Sequence, residues 1–262
     1  MSFGSWTRAL LASGVVAMSL AVAACGSPDR AGQVPKPRSL ATKCGETAGV
    51  SARPLWLTTS DRLRLYAIEA GSGPVAVVLV HESPADLCGW VPFIPSLIGA
   101  RLRVLAFDLR GFGESQTPKG QRALHAYDRD LRAAIAHERA IGAKRVFLLG
   151  ASFGGAAVLN FAPTLDADGV ISLSGEASFP AAALNGLATV PRLNKPLLIV
   201  GSRDDHWLPV AQARALVRRA GSSDKRLALY PGAFHGWDIV KKAPYAATAR
   251  ALILTWIRAR SV

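Results

Sequence analysis

The chain has 262 residues, of which 50% are hydrophobic, and its formal net charge is +13. This length allows one large domain and an export segment but not two full domains with a linker, and the hydrophobic fraction argues against wholesale disorder. Lysine and arginine are scattered along the chain without a long basic run or a nucleic-acid-binding motif, which argues against a nucleic-acid partner.

Residues 1–24 have the pattern of a signal peptide. A single cation, Arg8, precedes an uncharged apolar stretch at 9–24, which is shorter than the ~20 apolar residues that a membrane-spanning helix needs. The residues 22–25, Val-Ala-Ala-Cys, resemble a bacterial lipobox, and this resemblance implies cleavage before Cys25 and acylation of its thiol. We therefore expect an exported lipoprotein of the bacterial cell envelope, anchored to a membrane by its lipid. The alternative is ordinary secretory cleavage near residue 24, with Cys25 incidental.

Residues 25–44 are predicted to form a flexible tether between the lipidated cysteine and a folded domain at 45–262. Glycine, proline and polar residues dominate most of this stretch, and such a composition does not build a core. If Cys25 is lipidated, Cys44 and Cys88 remain as an even pair. An oxidising compartment then favours a disulfide between them, whereas a reducing compartment leaves two free thiols.

The folded part alternates strand-like and helix-like segments. Short β-rich segments predict strands at 55–59, 62–70, 75–81, 103–108, 145–150, 169–174, 196–201 and 226–230. Helices are predicted at about 90–100, 121–141, 153–162, 210–220 and 242–259. Several of the strand segments are continuously apolar, as in strands that are buried on both faces of a parallel sheet. The alternation predicts an α/β doubly wound sheet of about eight strands, opened by an antiparallel hairpin at one edge.

The connection between the sixth and seventh predicted strands is short. It runs from about Ser174 to about Pro196, so that only about twenty residues intervene. That length allows one short helix but no helical cap domain. We therefore expect an open site at this end of the sheet.

Gly150-Ala151-Ser152-Phe153-Gly154 matches the pattern G-x-S-x-G directly after an apolar strand and before a helix of small residues. A nucleophile on such a sharp strand-to-helix turn has strained backbone angles, and neighbouring side chains clash unless they are small. The following helix also places backbone N–H groups beside the serine. The pattern predicts Ser152 as a nucleophile, and the alternative is a glycine-rich turn without chemistry.

A serine hydroxyl needs a base, and the base needs an acid that orients it. His235 is the candidate base because it lies in a glycine-flanked loop after the last predicted strand, and His206 is the rival base. Asp204 and Asp205 follow a strand at its carboxyl end, the edge at which ligands bind in open α/β sheets. We predict Asp204 as the orienting acid, with Asp205 as the alternative.

Two further segments carry a family resemblance. Residues 108–115 (DLRGFGES) are similar to the D-x-R-G-x-G-x-S segment of α/β hydrolases, and residues 81–84 (HESP) look like that family's oxyanion loop. The order Ser, Asp, His is also that of α/β hydrolases. The region from about Leu55 to Ile257 is thus identified as resembling a serine hydrolase of the α/β-hydrolase fold.

The resemblance also implies roles for individual residues. The N–H group of Phe153 is expected to be one oxyanion donor, and the N–H group of Ser83 or Glu82 the second, with Ser83 preferred. Residues 108–115 and His81 are expected to be structural.

Glu82 departs from the family, which usually has glycine at that position. A carboxylate beside an oxyanion is unfavourable, so Glu82 must point away, be neutralised by a cation, or contact a positively charged group of the substrate. Glu176 and Trp207, together with Phe179 and Trp237, are further candidate pocket residues. For Glu176 the alternative is a solvated loop charge, and for the aromatic residues it is packing in the core.

These residues predict an esterase-like serine hydrolase. It would cleave an ester, thioester or amide of a small-molecule acyl substrate through an acyl-enzyme, without a cofactor and without a metal, since no Cys/His cluster has metal-ligand spacing. One alternative is a non-catalytic or vestigial hydrolase fold that binds a ligand or partner at the envelope, which Glu82 favours. A further alternative is a cofactor-free perhydrolase or haloperoxidase with the same triad.

Overall fold

The computed structural model describes residues 34–45, 47 and 49–261, so the predicted signal peptide and Cys25 lie outside the described residues. The described strands are, in chain order, β1 (Ala52–Thr58), β2 (Arg64–Ala70), β3 (Val75–Val80), β4 (Arg103–Phe107), β5 (Arg145–Ala151), β6 (Gly169–Leu173), β7 (Ser178–Phe179), β8 (Leu184–Asn185), β9 (Leu197–Ser202) and β10 (Lys225–Tyr230).

The described helices are α1 (Leu40–Cys44), α2 (Ile94–Gly99), α3 (Gln121–Leu124), α4 (Tyr127–Ala140), α5 (Phe153–Phe161), α6 (Gly186–Thr189), α7 (Val210–Arg219), α8 (Asp238–Lys241) and α9 (Ala246–Arg258). Short 3-10 turns occupy Leu87–Trp90, Ala162–Thr164, Pro180–Ala182 and Val190–Arg192. None of the helices in the described part of the chain is both long enough and apolar enough to cross a membrane.

The large sheet has the strand order β1-β2-β4-β3-β5-β6-β9-β10. β1 pairs antiparallel with β2, and β2 pairs antiparallel with β4, whereas the other neighbours are parallel. The central strands β3 and β5 are buried along nearly their whole length, as their continuously apolar sequences require. The predicted doubly wound sheet of eight strands and its opening hairpin are therefore confirmed.

Helices cover both faces of the sheet. α4, α5 and α7 pack on one face through residues such as Leu131, Leu159 and Leu216. α2 and α9 pack on the other face through residues such as Leu97 and Ile253. Because the core fills both faces, the two ends of the sheet are left for the loops.

The predicted helix at 121–141 is interrupted in the structure. α3 ends at Leu124 and α4 begins at Tyr127, and Ala126 between them has non-helical angles of φ −81° and ψ 49°. The buried Arg110 guanidinium donates to the Ala123 carbonyl at 2.7 Å, which fixes a helix end that the sequence pattern does not show.

The arm before β1 is attached to the domain. α1 buries Leu40 in the core, and Cys44 forms a disulfide with Cys88 with their Cα atoms 5.4 Å apart. The predicted disulfide is confirmed. Residues 40–44, which the sequence assigns to the flexible tether, therefore belong to the folded domain instead.

The connection between β6 and β9 contains only the β7–β8 ribbon, α6 and 3-10 turns. The predicted absence of a large cap domain is confirmed. The loops after the parallel strands consequently meet at one uncovered edge of the sheet.

Candidate active site

Ser152 lies on the turn between β5 and α5, with a positive φ of 48° and a side chain that is almost buried. A Cβ atom at Gly150 would collide with the Gly154 carbonyl, and one at Gly154 would collide with the backbone of Val80. Only glycine therefore fits on either side of the turn, which is the steric reason for the G-x-S-x-G pattern.

Three side chains from three loops meet at this turn. The Nε2 atom of His235 lies 2.8 Å from Ser152 Oγ, and its Nδ1 atom lies 3.0 Å from each carboxylate oxygen of Asp205. Because the ionised carboxylate only accepts, Nδ1 carries the proton and Nε2 accepts the serine hydroxyl. This chain of hydrogen bonds is the geometry that general-base activation of a serine requires.

The assignment of Asp204 as the orienting acid is replaced by Asp205, the alternative. Asp204 is exposed, and its amide donates to the Gly232 carbonyl at 3.0 Å. Asp205 is 4% exposed, and its amide donates to the Ser202 carbonyl at the end of β9. This tight turn directs the second aspartate, rather than the first, toward His235.

The carboxylate of Asp205 is also held by backbone amides. Its Oδ1 atom accepts from Trp207 N at 2.9 Å and from Leu208 N at 3.3 Å. Burial by itself raises the pKa of Asp205, but His235, the neighbouring Ser174 hydroxyl and the Trp207 amide outweigh it, and the pKa lies below its usual value. The rival base His206 is exposed and stacks edge-on against Trp207.

The loop that carries His235 has supports that no sequence pattern reveals. Ser202 Oγ donates to the Phe234 carbonyl at 2.6 Å and lies 2.7 Å from the Tyr245 hydroxyl. The Tyr245 ring in turn stacks on Tyr230 with a centroid distance of 4.4 Å. No motif marks these residues, because they approach one another only after α9 packs beside β10.

His81 positions the loop after β3. Leu109 N donates to its Nε2 atom at 2.9 Å, so Nδ1 carries the proton and donates to the Glu82 carbonyl at 2.8 Å. Complete burial lowers the pKa of His81 and keeps the ring neutral. The histidine thus has a structural contact with the loop and no contact with Ser152.

Three amides near Ser152 are available as donors. Within the described part of the chain, the N–H groups of Phe153, Glu82 and Ser83 donate to no other group. Phe153 is the first residue of α5, where backbone N–H groups have no partner in the helix. These amides are the candidates that the family resemblance indicated for an oxyanion hole.

The segment after β4 makes structural contacts. Asp108 is completely buried and accepts from Leu87 N at 3.0 Å and from Glu114 N at 2.8 Å. Arg110 is also completely buried and pairs with Asp130 at 2.7 Å and with Asp61 at 3.0 Å. These contacts hold the loop after β4 against the loop after β3, the turn between β1 and β2, and the start of α4.

The Glu82 carboxylate lies beside the nucleophile. Its Oε2 atom accepts from Trp237 N at 3.3 Å. A Cβ atom at Gly236 would collide with this carboxylate and would lie 3.5 Å from Ser152 Cβ. Burial raises the pKa of Glu82 more than the Trp237 amide and His235 lower it. Glu82 therefore does not point away from the site, which was one of the three situations expected for it.

A cavity of about 380 Å³ opens beside the nucleophile, and we call it the Ser152 cavity. It is lined by Glu82, Ser83, Pro84, Ser152, Phe153, Glu176, Phe179, Trp207 and His235. The predicted pocket residues Glu176, Phe179 and Trp207 thus line it, and Trp207 is 58% exposed. Trp237 is instead buried against Gly89 and Trp90, which corresponds to the alternative of packing in the core.

Metal-ligand side chains gather elsewhere in the described residues. Glu69, His137 and Glu138 offer ligand atoms within 4.8 Å of one another, between β2 and α4. Arg53 pairs with Glu69, and Arg103 lies 3.7 Å from Glu138, so arginine already provides the counter-charge. This cluster lies away from the Ser152 cavity and gives no reason to place a metal in the candidate site.

Comparisons with known proteins agree with the fold of the chain. A family model described as alpha/beta hydrolase fold matches residues 75–193, and one described as serine aminopeptidase, S33, matches residues 177–237. An esterase of Pyrococcus furiosus superposes with a TM-score of 0.72 at 16% identity, covering 81% of this chain and 92% of that one. The chain has the α/β-hydrolase fold. The two family models together span residues 75–237.

Two relatives by sequence differ in how much of each protein the match covers. Bifunctional epoxide hydrolase 2 of Sus scrofa is 35% identical over 38% of this chain, and the match covers 18% of that protein's length. The uncharacterized protein YfhR of Escherichia coli K12 is 24% identical, covering 71% of this chain and 74% of the relative. The likeness to the epoxide hydrolase thus concerns a minor part of that longer protein.

Proposed function

We propose that this α/β hydrolase is a serine esterase, or an enzyme for a related acyl bond, with Ser152 as nucleophile, His235 as base and Asp205 as orienting acid. One observation carries the proposal: His235 lies 2.8 Å from the Ser152 hydroxyl through Nε2 and 3.0 Å from Asp205 through Nδ1. A binding protein has no need for this ordered chain of three side chains.

The reaction follows from the geometry. Ser152 Oγ attacks the carbonyl carbon of the substrate while its proton passes to His235 Nε2. The bond to the leaving alcohol, thiol or amine then breaks, and the imidazolium returns the proton to the leaving group. Water next attacks the acyl-enzyme with His235 again as base, which releases a carboxylic acid and restores the Ser152 hydroxyl.

The negative charge on the carbonyl oxygen needs donors during both steps. The Phe153 amide at the start of α5 is the first, and an amide of the loop after β3, that of Ser83 or Glu82, is the second. The hydrogen bond from His81 to the Glu82 carbonyl at 2.8 Å holds that loop in place. Donors fixed in this way need no reorganisation when the charge develops.

The epoxide hydrolases among the relatives suggest a different substrate, but the nucleophile favours acyl groups. Attack of a serine hydroxyl on an epoxide would form an ether, which the water of a second step does not cleave. Attack of the same hydroxyl on an ester forms an acyl-enzyme, which water hydrolyses readily. Ser152 therefore supports acyl transfer.

Hydrolysis of p-nitrophenyl butyrate tests the proposal. We expect turnover by the purified protein and its loss in Ser152→Ala, which removes the nucleophile and little else. Folded protein that neither turns over the ester nor reacts with a covalent phosphonate would refute the esterase and support the binding-protein alternative. Halogenation that requires peroxide and acetate, in the absence of esterase turnover, would support the perhydrolase alternative.

We also propose that the chain is exported and anchored by a lipid on Cys25. The Cys44–Cys88 disulfide supports an oxidising compartment. Expression in a bacterial host with an alkyne analogue of palmitate should label the wild type, and Cys25→Ser should remain unlabelled at equal expression. An unlabelled wild type whose mature chain begins near residue 25 would indicate ordinary secretory cleavage instead.

A further inference from the structure

The Ser152 cavity is acidic, although the chain as a whole has a net charge of +13. Two carboxylates, those of Glu82 and Glu176, line it, and its described lining includes no lysine and no arginine. The charge of the cavity through which a substrate reaches Ser152 is therefore opposite in sign to the net charge of the molecule.

Glu176 lacks a partner in the protein. Its carboxylate follows β6 at the edge of the cavity, is half-buried, and forms no hydrogen bond or ion pair with any residue that the structure describes. Burial raises the pKa of Glu176, and His235 only partly offsets this effect. A carboxylate that is partly removed from water without a partner costs free energy, which a cationic ligand group would offset.

Glu82 is held only through one of its oxygens. Oε2 accepts from the Trp237 amide, and no group in the described part of the chain donates to Oε1. The nearby Lys241 ammonium lies over the Trp237 ring, 5.0 Å from its centroid, and Lys241 does not line the cavity. The negative charge of Glu82 thus adds to that of Glu176 on the cavity side.

Aromatic faces accompany the two carboxylates. Trp207 is 58% exposed at the mouth of the cavity, and Phe179 lines it while packing edge-on against Phe153. Aromatic rings attract ammonium groups through their quadrupole, and tryptophan does so most strongly. A carboxylate pair beside one exposed and one partly buried aromatic ring is a combination that recognises an ammonium group.

We propose that the Ser152 cavity selects acyl substrates that carry a cationic ammonium group, with Glu176 as its main counter-charge and Glu82 as the second. This inference rests on the proposed function, because it names the substrate class of the same site. The ammonium group lies among Glu176, Glu82 and Trp207 while the carbonyl carbon faces Ser152.

Matched substrates test the inference. In the first pair, butyrylthiocholine is compared with the thiobutyrate of 3,3-dimethylbutanethiol, which replaces the ammonium nitrogen by carbon. In the second pair, a p-nitrophenyl ester whose acyl group carries a trimethylammonium group is compared with the same ester in which carbon replaces the ammonium nitrogen. We expect kcat/KM to favour the cationic member of at least one pair by about tenfold, the size of one partly buried ionic or cation–π contact.

Glu176→Gln should reduce this cationic-to-neutral ratio most, and Glu82→Gln should reduce it less. Asp166→Asn is the matched control, since the Asp166 side chain is 85% exposed and precedes β6 at the opposite edge of the sheet. Its ratio should equal that of the wild type. A ratio near one in the wild type, with turnover of the neutral ester lost in Ser152→Ala, would overturn the inference and leave the esterase proposal standing.

A binding measurement separates the two proposals if no ester is turned over. Titration of Ser152→Ala protein with phenyltrimethylammonium, against tert-butylbenzene as its neutral counterpart, is followed by tryptophan fluorescence. Preference for the cation that depends on Glu176 would support the cation site while the hydrolase proposal fails. Equal binding of both probes would overturn the cation site as well.

Discussion

Asp108 and Asp205 follow strands at the same edge of the sheet, and both are buried, but their partners differ. We call Asp108, which follows β4, and its partners the β4 cluster, and Asp205, which follows β9, and its partners the β9 cluster. In the β4 cluster, Asp108 pairs with the Lys43 ammonium at 3.0 Å and accepts hydrogen bonds from two backbone amides. In the β9 cluster, Asp205 also accepts backbone amides, but its side-chain partner is His235, which contacts Ser152.

The same residue type, a buried aspartate, serves two purposes in these two clusters. An ammonium that stays charged near neutral pH only fixes geometry, so the β4 cluster holds the arm with Lys43 against the loop with Asp108. An imidazole can take a proton and return it, so the β9 cluster can support chemistry. The partner of the carboxylate, rather than its burial, distinguishes the two clusters.

The largest expected effect tests the chemistry of the β9 cluster. Asp205→Asn should lower kcat for p-nitrophenyl butyrate by about 10³–10⁴-fold, because the amide no longer stabilises the imidazolium and the correct tautomer. Asp204→Asn is the matched control and should stay within about twofold, since Asp204 is exposed. Equal losses in both variants would contradict the assignment of Asp205.

Removal of the disulfide tests how much the attachment of the arm before β1 contributes to the stability of the domain. Replacing Cys44 and Cys88 together by serine should lower the free energy of unfolding by about 3–4 kcal/mol, because the bond closes a long loop in the unfolded chain. Urea unfolding of the wild type and the double variant measures the difference. We expect esterase kcat to change far less than in Asp205→Asn, and a comparable loss would mean that the arm also shapes the site.

Asp108→Asn should act on stability rather than on chemistry. It leaves Asp86, 2.9 Å away, as the one carboxylate that the described residues pair with the buried Lys43 ammonium, and it should lower the free energy of unfolding by about 3 kcal/mol. Asp166→Asn, on the surface, should change it by less than about 0.5 kcal/mol. If Asp108→Asn unfolds like the wild type in urea, the β4 cluster does not anchor the arm.

The smallest effect is the opposite pH dependence of the two clusters. The pKa of Asp205 is lowered, so its contribution to stability is present above its ordinary value of 3.8 and is lost as the pH falls through the lower folded value. Burial lowers the pKa of Lys43, but Asp108 and Asp86 outweigh it and raise the pKa. Its contribution is therefore present below 10.5 and is lost as the pH rises through the higher folded value.

The midpoints of urea unfolding, measured from below about pH 4 to above about pH 10, check the direction of both pH dependences. The difference between wild type and Asp205→Asn should shrink in acid, below about pH 4, whereas that between wild type and Lys43→Met should shrink in alkali, above about pH 10. Differences that vary in the same direction for both variants would contradict the contrast between the clusters.

Much of the fold was predictable, because continuous apolar strands and a strand–Gly-x-Ser-x-Gly–helix transition leave few alternatives. The helix boundaries were less predictable, because the break between α3 and α4 depends on Arg110, which contacts Ala123 only in the folded chain. The supports of the His235 loop, Ser202 and Tyr245, carry no local signal either.

By itself the sequence determined the sheet, the position of Ser152 on its turn and His235 as the candidate base, since each depends on local pattern. It also led to the expectation that Cys44 pairs with Cys88 in an oxidising compartment, and the structure decided that pairing against two free thiols. The tertiary structure decided between Asp204 and Asp205, because the turn after β9 sets which of two adjacent carboxylates points inward. It also decided that Glu82 and Glu176 share one cavity, because they lie far apart in the chain and meet only where β3 and β6 end at the same edge.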